Sequence, residues 1–427
     1  MKDGPTNKFP RIVRAVPDPL GLYLHAGYND HKAILNMLAT GDKTFFGAVF
    51  DPTKLDRHAE LREQIFENKL DAILDPCTIR SATPGGFSNA ISALPWGKNR
   101  PHNEDDFKGL SGRRSIGDLA AFTCEHGFTQ VMAPSHYISN VNDPWLDIDI
   151  DSICTFRSAL DKVGCSSVPM ILPLAIPYRL FRNSDERNAL IDRIRQLPVN
   201  SIWLSIDGVG RNSTSTAARN YIDAARDFHA LDIPLVANHI GGGMFGLSLL
   251  AFGAVGGIAH GVMQNESYQT SHLKKPRKPS KFGRKRLVYV PSIDAMLPCK
   301  EAEILLSSRR AKAHFACTDS RCCPRGAKDM LHNHTRHYLY QRMHEVAGLS
   351  RMPETLRPQR FLDQHLRPAT DKAVAATQIE WPDKKVLEKM QKNRKHLDTL
   401  RIALGDYSDK NPPKTFALHP KMRVARS

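Results

Sequence analysis

Three cysteines fall together in CTDSRCC (317–323), and histidines follow at 332, 334, 337, 344 and 365. Three thiolates and one imidazole make a Cys3His set, the donor chemistry of a structural tetrahedral zinc. The spacing Cys-x4-Cys-Cys differs from the usual pairs of cysteines separated by two residues. Cys317, Cys322 and Cys323 are the expected ligands, and the histidine stays open between His365, His334 and His337. A second set of reactive types, His25, Asp75, His136, Asp207, His239 and His260, lies earlier in the chain, each at the end of a short apolar run. Asp75 and Asp207 are its carboxylates. Two carboxylates on one rim suit general acid/base or nucleophilic work, although capping of a following helix is the commoner role of such an Asp. Two glycine-rich stretches adjoin these residues. DPCTIRSATPGGF (75–87) leads out of Asp75. HIGGGMF (239–245) places Gly241, Gly242 and Gly243 between an apolar run and a helical one, where close backbone approach and unpaired N–H groups suit a phosphate or another close ligand. The alternative there is a plain tight turn.

These residues act together only if the chain brings the ends of the runs to one place. Runs of strand length occur at 22–25, 46–50, 72–75, 130–133, 170–176, 202–206, 235–238 and 255–259. Amphipathic stretches near 29–39, 54–68, 115–126, 148–163, 184–197, 215–230 and 244–253 separate them. Such alternation predicts parallel strands with crossover helices. Eight repeats predict an α/β fold closed as a (β/α)8 TIM barrel over 20–270 rather than an open doubly wound sheet, with polar strand ends at the C-terminal mouth. The loop 76–114 is long enough to be functional in itself. Beyond the barrel we expect a basic linker (271–299), a zinc-binding, mostly helical region (300–370), and a C-terminal helix with a basic tail (371–427), the last twenty residues unstructured.

The chain has 427 residues and a formal charge of +16, which favours a polyanionic partner. The run HLKKPRKPSKFGRKR (272–286) holds eight Lys/Arg. It reads as a solvated linker whose Lys274, Lys275, Arg277, Lys278, Arg284, Lys285 and Arg286 are candidate phosphate contacts. No run of 18 apolar residues predicts a membrane span, and the N-terminus lacks the apolar core of a signal peptide. The expected location is therefore cytoplasmic, with the eight cysteines as thiols or metal ligands rather than disulfides. Cys77, Cys124, Cys154 and Cys165 read as small buried apolar residues. An oligomer is compatible with the sequence.

The order of these features resembles the tRNA-guanine transglycosylase superfamily, whose members exchange guanine for a 7-deazaguanine base in tRNA or, in relatives, in DNA. The resemblance rests on ILDPCTIRSATPGGF, similar to a family motif of a strand ending in Asp, a Ser- and Gly-rich turn and Phe. It rests also on 238–243, similar to a later glycine motif, and on clustered cysteines followed by HTRHYLYQR (334–342), similar to a Tyr-Ser/Thr-Arg-x-Tyr-Leu segment. It spans about 20–370 in outline. It implies Asp75 at the base position, a substrate pocket including His25, Ser81, Gly85, Gly86, Phe87, His136, His239 and Gly241 to Gly243, and Zn2+ on Cys317, Cys322, Cys323 and His365. The cysteine spacing departs from the family's. The family's nucleophilic Asp after the eighth strand is His260 here, so Asp207 or Glu266 would have to take that role, or the exchange is lost. Two rival readings remain: a TIM-barrel oxidoreductase binding FMN or a phosphate ligand at GGGMFGLSLLAFGAVGG, and a non-catalytic nucleic-acid-binding barrel.

Overall fold

The computed structural model describes residues 20–263, 266–275 and 286–411. The expected phosphate contacts Arg277, Lys278, Arg284 and Lys285, and the tail from 412, lie outside the described residues. Eight strands, β1 (Gly21–His25), β2 (Gly47–Phe50), β3 (Asp71–Leu74), β4 (Gln130–Met132), β5 (Met170–Pro177), β6 (Ser201–Asp207), β7 (Leu235–Asn238) and β8 (Gly257–Gly261), pair in parallel with their sequence neighbours. Pairing of β1 with β8, Tyr23 opposite Ala259 and Leu24 opposite His260, closes the barrel. All eight expected strands and the expected fold class are present.

The barrel interior is one apolar cluster of Tyr23, Phe46, Val49, Ile73, Met132, Ile171, Trp203, Val236 and Ala259. Trp203 and Tyr23 approach to 4.9 Å between ring centroids, and the small Ala259 of β8 leaves them room, as dense packing demands. This cluster also sets the phase of each strand. Side chains alternate between the two faces, so positions two residues on from an interior residue return to the interior, nearer the C-terminal mouth. His25 follows Tyr23 in this way, Asp51 follows Val49, Asp75 follows Ile73, Ser205 and Asp207 follow Trp203, and Asn238 follows Val236. His260, next to interior Ala259, faces the surrounding helices.

The C-terminal region shares the barrel's outer core. The helix Gly243–Ala251 is buried at every position, because the barrel lies on one side and the helices His334–Ser350 and Arg357–Phe361 on the other. The helix Lys384–Lys410 packs on Arg367–Thr377 and on the barrel helix Ser215–Asp227. It runs past the start of the stretch expected to be unstructured. The expected linker contains an antiparallel hairpin, β9 (Leu287–Val290) and β10 (Ala295–Pro298), which alternation too short to stand out had hidden. The expectation of unpaired thiols fails at Cys124 and Cys165. The barrel helices Gly109–Glu125 and Pro144–Lys162 lie side by side, and their C-terminal ends bring the two Cα atoms to 6.0 Å, within disulfide reach, where the pair is bonded. Cys154 is exposed, whereas Cys77 is buried as expected. Among the described residues no helix is long and apolar enough to cross a membrane.

Candidate functional site

The mouth gathers part of the expected set. His25 Nε2 donates to Asn238 Oδ1 at 2.7 Å, and Asn238 Nδ2 donates to Ser205 Oγ at 3.1 Å. The rings of His25 and His239 stack at 4.8 Å, and Tyr268 stacks on His239 at 5.4 Å. His239 adopts φ +58°, a costly conformation for a residue with a Cβ, of the kind that collects at functional sites. Asp75 accepts the Cys77 N–H at 2.8 Å. Burial pushes the Asp75 carboxyl upward, and the charge of Asp51 adds to this against the Cys77 N–H, Arg80 and His25. Burial likewise pushes His25 downward, against Asn238 and Asp75. An acid displaced upward beside a base displaced downward is the arrangement in which a proton passes at low cost. The Tyr268 hydroxyl is buried with no hydrogen-bond partner among the described residues, and Tyr137, Asp207 and Asp75 are its charged or ionisable neighbours.

Sequence reasoning missed Asp51, Cys77 and Arg80. Asp51 accepts from Arg80 Nη1 at 2.8 Å, Lys54 Nζ at 2.6 Å and Thr53 N at 3.0 Å, and its Oδ1 lies 3.7 Å from Cys77 Sγ. Burial alone would raise its carboxyl; Arg80 and Lys54 outweigh this and hold it well below the usual range. Cys77 takes φ +61°, and its buried thiol is pushed upward by desolvation. A signal was present: VFDP (49–52) repeats the strand-Asp-Pro pattern of ILDP (73–76).

Other expected site residues also have partners within the chain. Asp207 faces the interior, and its oxygens accept Thr270 N at 2.8 Å and Thr270 Oγ1 at 2.5 Å. His136 is held in the wall, its Nδ1 2.6 Å from Asp149 Oδ1 and its ring 3.6 Å from the Trp145 centroid. The buried Ser81 hydroxyl donates to the Cys77 carbonyl at 2.9 Å. Gly85 donates to the Leu273 carbonyl at 2.8 Å, and a Cβ there would lie 2.3 Å from the Lys275 carbonyl. A Cβ on Gly86 would lie 2.7 Å from the Arg80 carbonyl, and half-buried Phe87 donates its N–H to the Thr83 carbonyl. These four build the loop and dock it on 272–275, so exposed Lys274 and Lys275 stand beside it; Arg286 is exposed as well.

The glycine turn and His260 belong to a different place, the seam between barrel and C-terminal region. A Cβ on Gly241 would meet Glu266, one on Gly242 would meet Arg342, and one on Gly243 would meet the Asp294 carboxylate, each within 2.6 Å. Met244 N donates to Asp294 Oδ2 at 2.8 Å. The helix N-terminus expected to receive a phosphate therefore receives a carboxylate of the chain itself. Arg211 reaches Asp294 Oδ1 at 3.1 Å and Glu266 Oε2 at 3.5 Å. Arg342 reaches Glu345 at 2.8 Å, Glu266 at 3.6 Å and Asp294 at 3.7 Å, and Tyr338 Oη donates to Glu266 Oε1 at 2.6 Å. Burial would raise Glu266, but Arg211 and Arg342 hold it below its usual range. His260 is wholly buried against Tyr338, which removes it from the mouth; its Nδ1–H donates to the Gly261 carbonyl at 2.8 Å.

The expected metal ligands converge, with one correction. Sγ of Cys317, Cys322 and Cys323 and a nitrogen of His337 lie within 4.8 Å of one another. Cys322 and Cys323 Sγ are 3.6 Å apart and lie 3.3 and 3.4 Å from His337 Nδ1. A tetrahedron with Zn–S of about 2.3 Å and Zn–N of about 2.0 Å has edges of about 3.8 and 3.5 Å. His337 Nε2 is 2.9 Å from the Tyr289 carbonyl, which only accepts, so Nε2 carries the proton and the Nδ1 lone pair faces the sulfurs, as in metal-binding imidazoles. The donor set thus fits a closed Cys3His zinc centre. His365 is not part of the group; it sits in the segment Leu362–Leu366 stacked on Phe361.

No known protein-family profile matches the chain, and no curated protein matches it. Solved structures similar to it include a GH10 xylanase from Bispora sp. MEY-1 (11% identity, TM-score 0.38, covering 57% of this chain and 83% of that one). Others are 3-dehydroquinate dehydratase from Enterococcus faecalis (10%, 0.34, 59% and 91%) and the carboxyl transferase domain of Rhizobium etli pyruvate carboxylase (10%, 0.36, 91% and 61%). At this distance the likeness carries no argument about activity.

Proposed function

We propose that the protein is a transglycosylase-like enzyme that exchanges guanine for a 7-deazaguanine base in nucleic acid, DNA or tRNA. The observation that carries this reading is that Asp75, His25 and Asp207 all face one barrel mouth around Tyr268, with burial displacing Asp75 upward and His25 downward. Base exchange needs a group that gives a proton to the departing purine and takes one from the incoming base. It also needs a carboxylate able to bond to the sugar. Asp75, with its proton, protonates the leaving guanine as an Asp207 oxygen attacks C1′ and the C1′–N9 bond breaks. Asp75 then accepts the N–H proton of the 7-deazaguanine as that nitrogen attacks C1′ and Asp207 leaves. Thr270 orients Asp207, while Asn238 and Ser205 orient His25. Arg80, held by Asp51, and exposed Lys274 and Lys275 suit phosphates. Zinc, held by Cys317, Cys322, Cys323 and His337, would be structural, since four protein ligands leave no open position.

The FMN reading finds less support, because Asp294 holds the helix N-terminus that a flavin phosphate would need. The test is incorporation of labelled guanine or 7-deazaguanine into single-stranded DNA and into tRNA. Asp75→Asn should lower the rate roughly 10²- to 10⁴-fold, with unchanged nucleic-acid affinity. If the wild type binds but incorporates neither base, the reading is overturned in favour of a non-catalytic binding barrel.

A further inference from the structure

Next to the mouth, the β1 loop exposes an aromatic ring. Tyr28 is 61% exposed, and among the described residues it is the exposed large hydrophobic residue that is aromatic. It lies three residues beyond inward-facing His25. Its position is fixed: the Arg57 guanidinium lies 3.9 Å from the ring centroid, with Nε donating to the Tyr28 carbonyl at 2.8 Å and Nη2 to Asn29 Oδ1 at 2.8 Å. One face of the ring is thus backed by a cation. With that face covered, the residue as a whole is still exposed. A hollow of about 260 Å³ adjoins the ring, walled by Pro52, Thr53, Lys54, Leu55, Asp56 and Arg57.

The hollow is joined to the mouth through one carboxylate. Lys54, in its wall, pairs with Asp51 at 2.6 Å, and Asp51 pairs on its other side with Arg80, beside Cys77 and Asp75. A path from Tyr28 to Asp75 therefore runs past three cations, Arg57, Lys54 and Arg80, with Asp51 committed to two of them and Asp56 the acid in the hollow's wall. Flat aromatic faces interleaved with cations are what a single nucleic-acid strand requires, bases stacking while the backbone tracks positive charge.

We infer that Tyr28, backed by Arg57, is a stacking platform for an unpaired base of a single-stranded nucleic acid, a neighbour of the nucleotide that enters the mouth. The inference deepens the proposed function by naming how the substrate strand is held, and it rests on that reading for the identity of the nucleotide in the mouth. A base flipped from its stack needs such a support for the strand beside it.

The experiment is fluorescence anisotropy of the full chain with two labelled 12-mers, oligothymidylate and an abasic strand of the same length. Stacking on one aromatic side chain corresponds to roughly 5- to 150-fold in affinity. Tyr28→Ala should lose affinity for oligothymidylate within that range and leave the abasic strand unchanged. Tyr28→Phe should retain wild-type binding, and Arg57→Ala should weaken both strands. Oligothymidylate binding by Tyr28→Ala at the wild-type level, or equal losses on both strands, overturns the platform. So does a Tyr28→Phe variant as weak as Tyr28→Ala, which would show a hydroxyl contact instead. These readings involve no base exchange, so loss of the platform and loss of the transglycosylase reading are separate results.

Discussion

The mouth of the barrel and the seam behind it hold the same kinds of residue and use them oppositely. At the seam, two buried guanidiniums, Arg211 and Arg342, meet three carboxylates, Glu266, Asp294 and Glu345, and every carboxylate has an arginine partner within one network. At the mouth, Asp75 and His25 are both displaced towards their neutral forms, and the Tyr268 hydroxyl has no hydrogen-bond partner among the described residues. A network of mutually paired charges rewards holding still. A set of groups displaced towards proton transfer, with a spare donor among them, is costly unless a ligand uses it. The difference teaches that polar residues on strand ends are not evidence of chemistry until their partners are known. His260 and Gly241 to Gly243 looked like site residues and are seam residues.

The largest effect is expected at the seam's far end. Structural zinc binds with an apparent free energy of about 10–16 kcal/mol in zinc-finger peptides. Wild-type protein should carry one zinc per chain by plasma emission spectrometry. The double variant Cys322→Ser/Cys323→Ser should carry none and unfold at lower urea concentration. His365→Ala should keep the metal, and His337→Ala should lose it. Wild-type protein without stoichiometric metal would show that the Cys3His group holds no zinc.

A smaller effect separates the two regions directly. Arg342→Met leaves Glu266, Asp294 and Glu345 short of a cation in a buried place, and breaking such a network costs about 3–5 kcal/mol. Asp75→Asn replaces a carboxyl already displaced towards its neutral form, so stability should be kept or improved while activity falls. Urea unfolding of both variants at neutral pH measures this. Equal losses would show that the mouth is as structural as the seam.

How much of this was legible follows from which forces leave a trace in one sequence. The eight strands are short apolar runs between amphipathic stretches, and both signals are local. Strand phase is not local. Parallel barrel strands are apolar on both faces, so GIAHG (257–261) does not disclose that Ala259 faces inward and His260 outward. The three glycines record that something approaches the backbone, but not that Glu266, Arg342 and Asp294 do. The cysteines were legible as ligands by type. The choice of His337 over His365 depended on the helix His334–Ser350, whose turns place His337 against the thiols and Gln341 beside Cys317. Asp51 was the avoidable miss, since VFDP and ILDP end neighbouring strands alike.

The finest comparison turns on His260, which the resemblance placed in the chemistry and the structure places in the seam. Burial, with Arg342 nearby, lowers its pKa to about 4 against the attraction of Glu266. Nδ1–H is committed to the Gly261 carbonyl, and Nε2 has no hydrogen-bond partner among the described residues, so the neutral ring is the form that fits. The sign follows. Between about pH 6.5 and pH 4 the unfolded chain holds a proton on this histidine that the folded chain does not, so stability falls as the pH is lowered through that window. Below pH 4 both states are protonated and the dependence ends. A displacement from 6.5 to about 4 corresponds to about 3 kcal/mol at most. Buried His58 and His102, also lowered to about 4, act in the same window. The informative quantity is therefore the difference between wild type and His260→Gln, followed by urea unfolding from pH 7 to pH 4. The variant should be less stable at pH 7, where a well-packed ring is lost, and should lose less on acidification. Base exchange should survive the substitution, since no reacting group is removed. A variant that keeps the full acid dependence yet abolishes exchange would return His260 to the mouth and erase the distinction between the two regions.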